Sequence, residues 1–192
     1  LAGNFNLVNT EELFALVNMD PGEFQKQSDL AAMMEVVHHF LSKEEEKSPN
    51  SADVAAVLKK AVPLFDGGYT VGGLTGNGNG FVMRDAHGIR PAYYYIDDEV
   101  IVAASERASI RTAFNVGENE VLELMPAHAL IVDNAGDYKI EQIQEPKERR
   151  ACSFERIYFS RGSDEKIYRE RIALGNHLSK AVLESVDYSL KN

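Results

Sequence analysis

The sequence predicts an α+β domain, with helices first along the chain and antiparallel strands second. Apolar residues recur at helical spacing through the first 65 residues, and short β-prone runs separated by turn residues occupy residues 69–143. A polar linker at residues 145–150 then leads to one more long helical pattern. Helices and strands segregated in this way pack as layers around a shared core, unlike the alternating elements of a parallel α/β sheet.

Three helices are expected in the first part of the chain. Asn9 with Glu12 three places later is typical of a capping box, so residues 1–8 are expected to form a loop before the first helix. Ser28 is expected to cap the second helix, and Ser51 the third. Helical spacing behind Ser28 involves Leu30, Met33, Met34, Val37, Phe40 and Leu41.

The strands are predicted from β-branched and aromatic runs that end in turn residues. The runs are residues 69–75, 81–84, 92–96, 100–104, 121–124, 129–132 and 138–143. The glycine-rich stretch at residues 76–80 lies between two strands, so it predicts a hairpin turn and not a dinucleotide site. Ser105 is expected to cap a short helix at residues 108–114. Residues 154–160 are expected to form a buried strand near a structural Cys152, before the last helix.

Composition excludes several functional classes. With 192 residues and 44% hydrophobic residues, the chain can bury a core. Its net charge of −10 disfavours nucleic acid, and no apolar run reaches the roughly 20 residues that cross a bilayer. One cysteine excludes a disulfide framework and a thiolate-rich metal site, so a cytoplasmic protein is expected. Because the chain opens on Leu1 and not Met, we expect a piece of a longer protein.

Two polar features near the start of the chain could carry chemistry. The segment from Asn4 to Asn9 places amide side chains at alternate positions, which could stabilise an oxyanion or simply serve turns and caps. Asp29 begins a helix, where a carboxylate is favoured by the helix dipole whether or not it also binds a cationic ligand group.

The densest polar cluster runs from Arg84 to Pro91 and includes His87 and Arg90. It could bind an anion, act in general acid–base chemistry, or form an internally paired connection between two strands. No metal site is expected, because His38 and His39 point about 100° apart on a helix and no HExxH or Walker pattern occurs.

Several segments together resemble the class II glutamine amidotransferases, and among them the amidophosphoribosyltransferases. Asn4 to Asn9 is similar to the Asn-Gly-Asn-Leu-x-Asn segment of that family, and Arg84 to Pro91 to its Arg-Asp-Pro-His-Gly-Ile-Arg-Pro stretch. Ala104-Ser105-Glu106 matches its Ala-Ser-Glu. Residues 152–161 resemble its Cys-x-Phe-Glu-x-x-Tyr-Phe-Ala-Arg, which discriminates amidophosphoribosyltransferases from other class II enzymes.

The resemblance implies an N-terminal-nucleophile hydrolase-like fold, a four-layer αββα sandwich with mainly antiparallel sheets. It implies a glutaminase whose N-terminal cysteine releases ammonia for transfer to phosphoribosyl pyrophosphate, giving 5-phosphoribosylamine for purine synthesis. The Asn4 side-chain amide and the Phe5 backbone N–H would form the oxyanion hole, and Asp29 would bind the α-ammonium of glutamine. Arg84, His87 and Arg90 would have a supporting role.

The same resemblance divides the chain into a partial amidotransferase domain, residues 1–150, and a junction strand and helix, residues 151–192. The junction would lead to an absent phosphoribosyltransferase domain that uses Mg²⁺, and family analogy suggests a homotetramer. The nucleophilic cysteine is absent from the chain, so this piece alone is expected to be inactive. Cys152 aligns with an iron–sulfur ligand of some members, but one cysteine cannot hold a cluster.

Two departures from the family pattern keep alternatives open. Phe5 stands where the family has Gly, which would be strained if the oxyanion hole needs a positive φ, and Gly3 stands where His is common. The alternatives are the amidotransferase domain of another enzyme, such as an asparagine synthetase, and a non-catalytic glutamine-binding module.

Overall fold

The computed structural model describes residues 1–17, 28–48 and 51–189. Its strands are β1 (Ala2–Leu7), β2 (Gly67–Leu74), β3 (Gly80–Arg84), β4 (Tyr93–Ile96), β5 (Ile101–Ala104), β6 (Leu122–Glu123), β7 (His128–Val132) and β8 (Tyr138–Gln142). Its helices are α1 (Thr10–Leu16), α2 (Asp29–Glu45), α3 (Val54–Ala61), α4 (Arg107–Phe114) and α5 (Glu165–Ser185). A 3₁₀ turn (Val62–Leu64) follows α3, and a π-helical turn (Glu155–Phe159) precedes α5.

The strands form two antiparallel sheets that pack face to face. The larger has the order β1-β2-β3-β7-β8 and the smaller the order β5-β4-β6. Side chains of β3 alternate between the two faces of the larger sheet: Phe81 and Met83 join the core under α1, α2 and α3, whereas Val82 packs toward the smaller sheet. Because α4 lies on the smaller sheet, the layers are αββα, as the resemblance implied.

Most of the expected helices and turns are confirmed. The Ser28 hydroxyl accepts from the Ala31 N–H at the start of α2, and residues 76–80 form the turn between β2 and β3. The turn at residues 134–137 joins β7 and β8. The sequence predicts that Pro49 and Asn50 break the chain after the second helix, and these two residues lie outside the described ranges.

The predicted loop at residues 1–8 is wrong, because residues 2–7 form the edge strand β1. Phe5 and Leu7 face the helical core, while Asn4 and Asn6 alternate with them, which is the period-two pattern of a strand with one buried face. Gly3 lets β1 approach β2 closely: a Cβ there would lie 2.3 Å from the Thr70 carbonyl oxygen.

Two predicted caps are wrong, and a third residue holds its predicted cap position without the capping bond. Asn9 holds the cap position of α1, yet its amide donates to the Leu64 carbonyl and accepts from the Asp66 N–H instead of closing a capping box. Asp53, and not Ser51, caps α3 by accepting from the Ala55 N–H. Glu106 holds the cap position of α4 in place of Ser105, without a side-chain cap bond.

The buried junction strand predicted at residues 154–160 is a helical turn with exposed apolar side chains. Phe154 is 57% exposed and Ile157 is 56% exposed, and Cys152 is half-buried. Consecutive apolar residues indicated a strand, but Phe154, Tyr158 and Phe159 instead pack against one another on one side of the turn.

Candidate functional site

The hydrogen bonds of β1 define a row of donors along the sheet edge. The Val8 N–H donates to the Asp66 carbonyl at 2.9 Å, across the pairing with β2. Bonded and non-bonded pairs alternate in an antiparallel ladder, so the N–H groups of Gly3, Phe5 and Leu7 point away from β2. Leu7 shows this directly, because its N–H donates to Asp29 Oδ2 at 2.8 Å.

Asp29 is placed at this edge by the start of α2. Its carboxylate accepts from the Leu7 N–H, which lies two residues along the strand, or roughly 7 Å of β-strand rise, from the outward N–H of Phe5. That separation is comparable with the reach of an extended glutamine from its α-nitrogen to its side-chain carbonyl. The edge therefore offers a carboxylate for a cation at one end and an N–H donor for an oxyanion at the other.

Phe5 stands where the family pattern has Gly, yet its backbone is not strained at this position. It lies within β1 opposite Tyr69 and is absent from the residues with positive φ in the part of the chain that the structure describes. Its ring packs against the helical core. The extended backbone presents the N–H without the left-handed conformation that favours glycine.

Asn4 lies on the opposite face of β1 from Phe5 and contacts the C-terminal segment. Its Nδ2 donates to Glu155 Oε1 at 2.7 Å, and the same oxygen accepts from Arg90 Nη1 at 2.6 Å. Glu155 is 9% exposed, so this carboxylate is nearly buried between its two donors. The arrangement fixes which side of the Asn4 amide carries the nitrogen.

The loop from Arg84 to Pro91 is organised by Asp85, which is fully buried. Its carboxylate accepts from the backbone N–H groups of Tyr69, His87, Ile89 and Arg90, at 2.9–3.2 Å. Gly88, at φ +61°, closes the turn where a Cβ would lie 2.8 Å from a carbon of Pro126. The loop is therefore held rigidly, which positions Arg90 against Glu155.

Arg84 supports the same loop from beneath. Its guanidinium is 2% exposed and donates to the carbonyls of Arg90, Leu124 and Gly88 and to Glu123 Oε1 at 2.8 Å. Burial acts to raise the pKa of Glu123, but hydrogen bonds and charge from Arg84 and Arg149 outweigh it and lower that pKa below its ordinary value. Of the readings that the sequence left open for this cluster, the contacts fit an internally paired connection.

His87 lies at the outer side of the loop. Its Nδ1 is 2.8 Å from the Glu148 carbonyl oxygen, and its backbone N–H donates to Asp85. The linker runs alongside, because Lys147, Arg150 and Cys152 donate backbone N–H groups to Ala86, His87 and Ile89. His87 thus contacts the linker, not the edge of β1.

A cavity of about 470 Å³ opens beside Asn4, between this loop, the start of α4 and the C-terminal segment. Arg90 and Arg107 line it, and the Nε atom of each is buried with no hydrogen-bond partner among the described residues. A buried donor without an acceptor costs roughly 1–3 kcal/mol. Asn4 of β1 lines this cavity, whereas Phe5 and Asp29 do not.

Asp85 and Glu155 were not singled out from the sequence as site residues. Asp85 had a local signal, since an aspartate at the start of a strand connection commonly accepts backbone N–H groups within the turn. Glu155 had none beyond the family motif around it, because its partners lie 65 and 151 positions away.

No protein-family model matches the chain. Among curated proteins, it is 29% identical over 189 residues to an amidophosphoribosyltransferase of Synechocystis sp., which covers 94% of this chain and 36% of that protein. It is 27% identical over 199 residues to the amidophosphoribosyltransferase of Saccharomyces cerevisiae, covering 97% of this chain and 38% of that one. The chain is thus similar in sequence to amidophosphoribosyltransferases. It spans about a third of the length of these relatives.

Two solved enzyme structures have a similar fold. The glutamine phosphoribosylpyrophosphate amidotransferase from B. subtilis, solved with ADP and GMP, superimposes with a TM-score of 0.60 at 27% identity, over 83% of this chain and 32% of that one. An allosteric regulatory enzyme of purine biosynthesis gives a TM-score of 0.58 at 24% identity, which supports the fold.

Neither a metal-binding cluster nor a membrane-spanning helix occurs among the described residues. Within residues 1–17, 28–48 and 51–189, no group of three or more His, Cys, Asp or Glu side chains is arranged to hold a metal ion. In the same ranges, no helix has both the length and the apolar character needed to span a bilayer.

Proposed function

We propose that this chain provides the glutamine-binding and oxyanion-stabilising part of a class II glutaminase. The observation that carries the proposal is the geometry of the β1 edge, where the outward N–H of Phe5 lies two residues along the strand from the Leu7 N–H that binds the Asp29 carboxylate. The relationship to amidophosphoribosyltransferases supports the same assignment.

In this proposal the site residues bind different parts of glutamine. The Asp29 carboxylate binds the α-ammonium of glutamine by an ion pair, as well as accepting from Leu7. The Phe5 N–H and the second N–H of the Asn4 amide donate to the side-chain carbonyl oxygen as it becomes an oxyanion. The rigid loop at residues 84–91 holds Arg90, and through Glu155 it holds Asn4.

The attacking group lies outside this sequence, since its one cysteine is Cys152. By the family resemblance, an N-terminal cysteine thiol adds to the amide carbonyl, ammonia leaves after taking up a proton, and water then cleaves the thioester to give glutamate. This chain alone binds glutamine but does not hydrolyse it. The single cysteine of this sequence does not provide the several thiolate ligands that an iron–sulfur cluster needs.

For the full-length protein, we propose amidophosphoribosyltransferase activity in the cytoplasm. Ammonia would displace pyrophosphate from phosphoribosyl pyrophosphate to give 5-phosphoribosylamine, in a separate domain that uses Mg²⁺. Residues 1–150 would be the amidotransferase part and residues 151–192 the junction with that domain. A homotetramer is proposed by family analogy.

The test is pyrophosphate release from phosphoribosyl pyrophosphate by the full-length protein, with glutamine, with ammonia, and with neither. Release that depends on glutamine supports the proposal. Release with ammonia alone would show that the glutamine site is degenerate. No release under any condition would point to another class II enzyme, which would still hydrolyse glutamine to glutamate, or to a non-catalytic glutamine-binding module, which would not.

A further inference from the structure

The two sheets differ in width, and the difference leaves part of the larger sheet uncovered. The larger sheet has five strands, whereas the smaller has three, with β5 at one of its edges. Val82 and Leu130 of the larger sheet pack with Ile101 of β5 in one apolar cluster. Leu74 of β2, on the same face as Val82, is 84% exposed. The inner face of β1 and β2 therefore extends beyond β5 without a cover among the described residues.

An apolar groove of about 630 Å³ lies over this uncovered face. Ala2, Gly72 and Leu74 line it from the larger sheet, and Ile101 and Ala103 line it from β5. Every described residue that lines the groove is glycine, aliphatic or phenylalanine. Its side chains thus offer nothing to hold a charged or polar small molecule, and they suit apolar side chains of another segment.

The free edge of β5 adds backbone hydrogen-bonding groups beside the groove. The Asp97 N–H donates to the Val100 carbonyl at 3.1 Å, which fixes the bonded pairs of the ladder between β4 and β5. Bonded and non-bonded pairs alternate, so the N–H and C=O groups of Ile101 and Ala103 point away from β4. No other strand pairs with β5 among the described residues. An added strand would use these groups.

The space beside β5 has the width of one or two strands. Only β1 and β2 extend beyond β5, and neighbouring strands lie about 4.8 Å apart, which gives roughly 10 Å. A second copy that paired through its own β5 would bring its β1 and β2 into the space that these strands already occupy. The geometry therefore favours a single extended segment of chain over a second folded copy.

We propose that part of the full-length protein that precedes Leu1 adds a strand to β5 and fills this groove with alternate apolar side chains. Leu1 itself lines the groove, so a preceding segment would start beside it. The chain spans about a third of the length of its relatives, and the family resemblance places the nucleophilic cysteine before Leu1. Asn4, Phe5 and Asp29 do not line the groove, so a failure to bind glutamine would not affect this inference.

The first measurement is amide hydrogen exchange in the full-length protein, resolved to single residues by mass spectrometry. Val102 and Ala104, whose N–H groups face β4, are the internal controls. Ile101 and Ala103 should exchange roughly a hundredfold more slowly than unpaired amides, as the two controls do. Free exchange at Ile101 and Ala103 beside protected controls would overturn the proposal.

The second measurement identifies the occupant by photo-crosslinking. A diazirine-bearing amino acid at position 103 of the full-length protein should attach to a peptide that precedes Leu1. The same amino acid at position 102 is the matched control and should attach to α4, because the Tyr95 ring opposite Val102 lies 5.9 Å from the Phe114 ring.

Mixing labelled and unlabelled copies of the protein separates attachment within one chain from attachment between two chains. Attachment from position 103 within one chain, to the part before Leu1, supports the proposal. Attachment only to a second copy, to the downstream domain or to another protein would overturn it. Failure of position 103 to attach anywhere, while position 102 attaches to α4, would also overturn it.

Discussion

The side-chain amide of Asn4 donates a 2.7 Å hydrogen bond to Glu155, a residue 151 positions further along the chain. An amide nitrogen carries two hydrogens, so one can be held by Glu155 while the other serves an oxyanion. Arg90 donates to the same carboxylate oxygen and holds it in place. The orientation of a proposed catalytic donor on β1 is therefore set by the segment that connects this domain to α5.

Glu155→Ala should lower kcat for glutamine hydrolysis by the full-length protein about tenfold to a hundredfold, with little change in KM. The Asn4 amide would lose the acceptor that fixes its orientation, and small misplacements of catalytic groups are costly. Glu155→Gln keeps an acceptor oxygen and should recover most of the rate. Rates are compared in a coupled glutamate assay, with circular dichroism to confirm folding. Wild-type turnover in Glu155→Ala would remove the positioning role.

Asp29→Asn should raise the KM for glutamine at least tenfold in the full-length protein. The carboxamide oxygen can still accept from the Leu7 N–H, so the local structure is kept while the charge that binds the α-ammonium is lost. Asp53→Asn is the matched control, since that residue caps α3 and is not part of the edge. Steady-state kinetics over a range of glutamine concentrations measure both, and equal KM values for the two variants would refute the assignment.

Phe5→Ala should destabilise the 192-residue chain by about 2 kcal/mol. The variant loses the packing of the partly buried Phe5 ring against the helical core. Val8→Ala, at a side chain that is 72% exposed, should change stability by no more than about 0.5 kcal/mol. Urea unfolding measures both. If strain at Phe5 limited activity, Phe5→Gly would increase kcat in the full-length protein; no increase is expected, because Phe5 has extended backbone geometry.

Acid should weaken the fold through Glu123. Its folded-state pKa lies below the ordinary 4.5, so its ion pair with the buried Arg84 contributes stability above pH 4.5, and this contribution is lost as the pH falls through the lowered pKa. Glu123→Gln should be less stable than the wild type at neutral pH and should lose less stability on acidification below pH 4.5. Urea unfolding at several pH values gives both slopes, and parallel slopes would contradict the coupling.

The sequence by itself determined the layered α+β class, the three helices before residue 65, the strands that follow them, and the turn at residues 76–80. These follow from local patterns: apolar periodicity, the Ser28 cap, and glycine and asparagine in turns. The motifs at residues 4–9, 84–91 and 152–161 also indicated a resemblance to the amidophosphoribosyltransferases before any contact was known.

Tertiary structure decided what these residues touch. The edge strand was missed because Asn4 and Asn6 resemble loop residues until β2 pairs with them, and the exposed helical turn at residues 155–159 has the composition of a strand. The contacts of Glu155 could not be found from sequence, since its partners Asn4 and Arg90 lie 151 and 65 positions away. Local propensity acts between neighbours along the chain, whereas burial and pairing depend on groups that only the folded chain brings together.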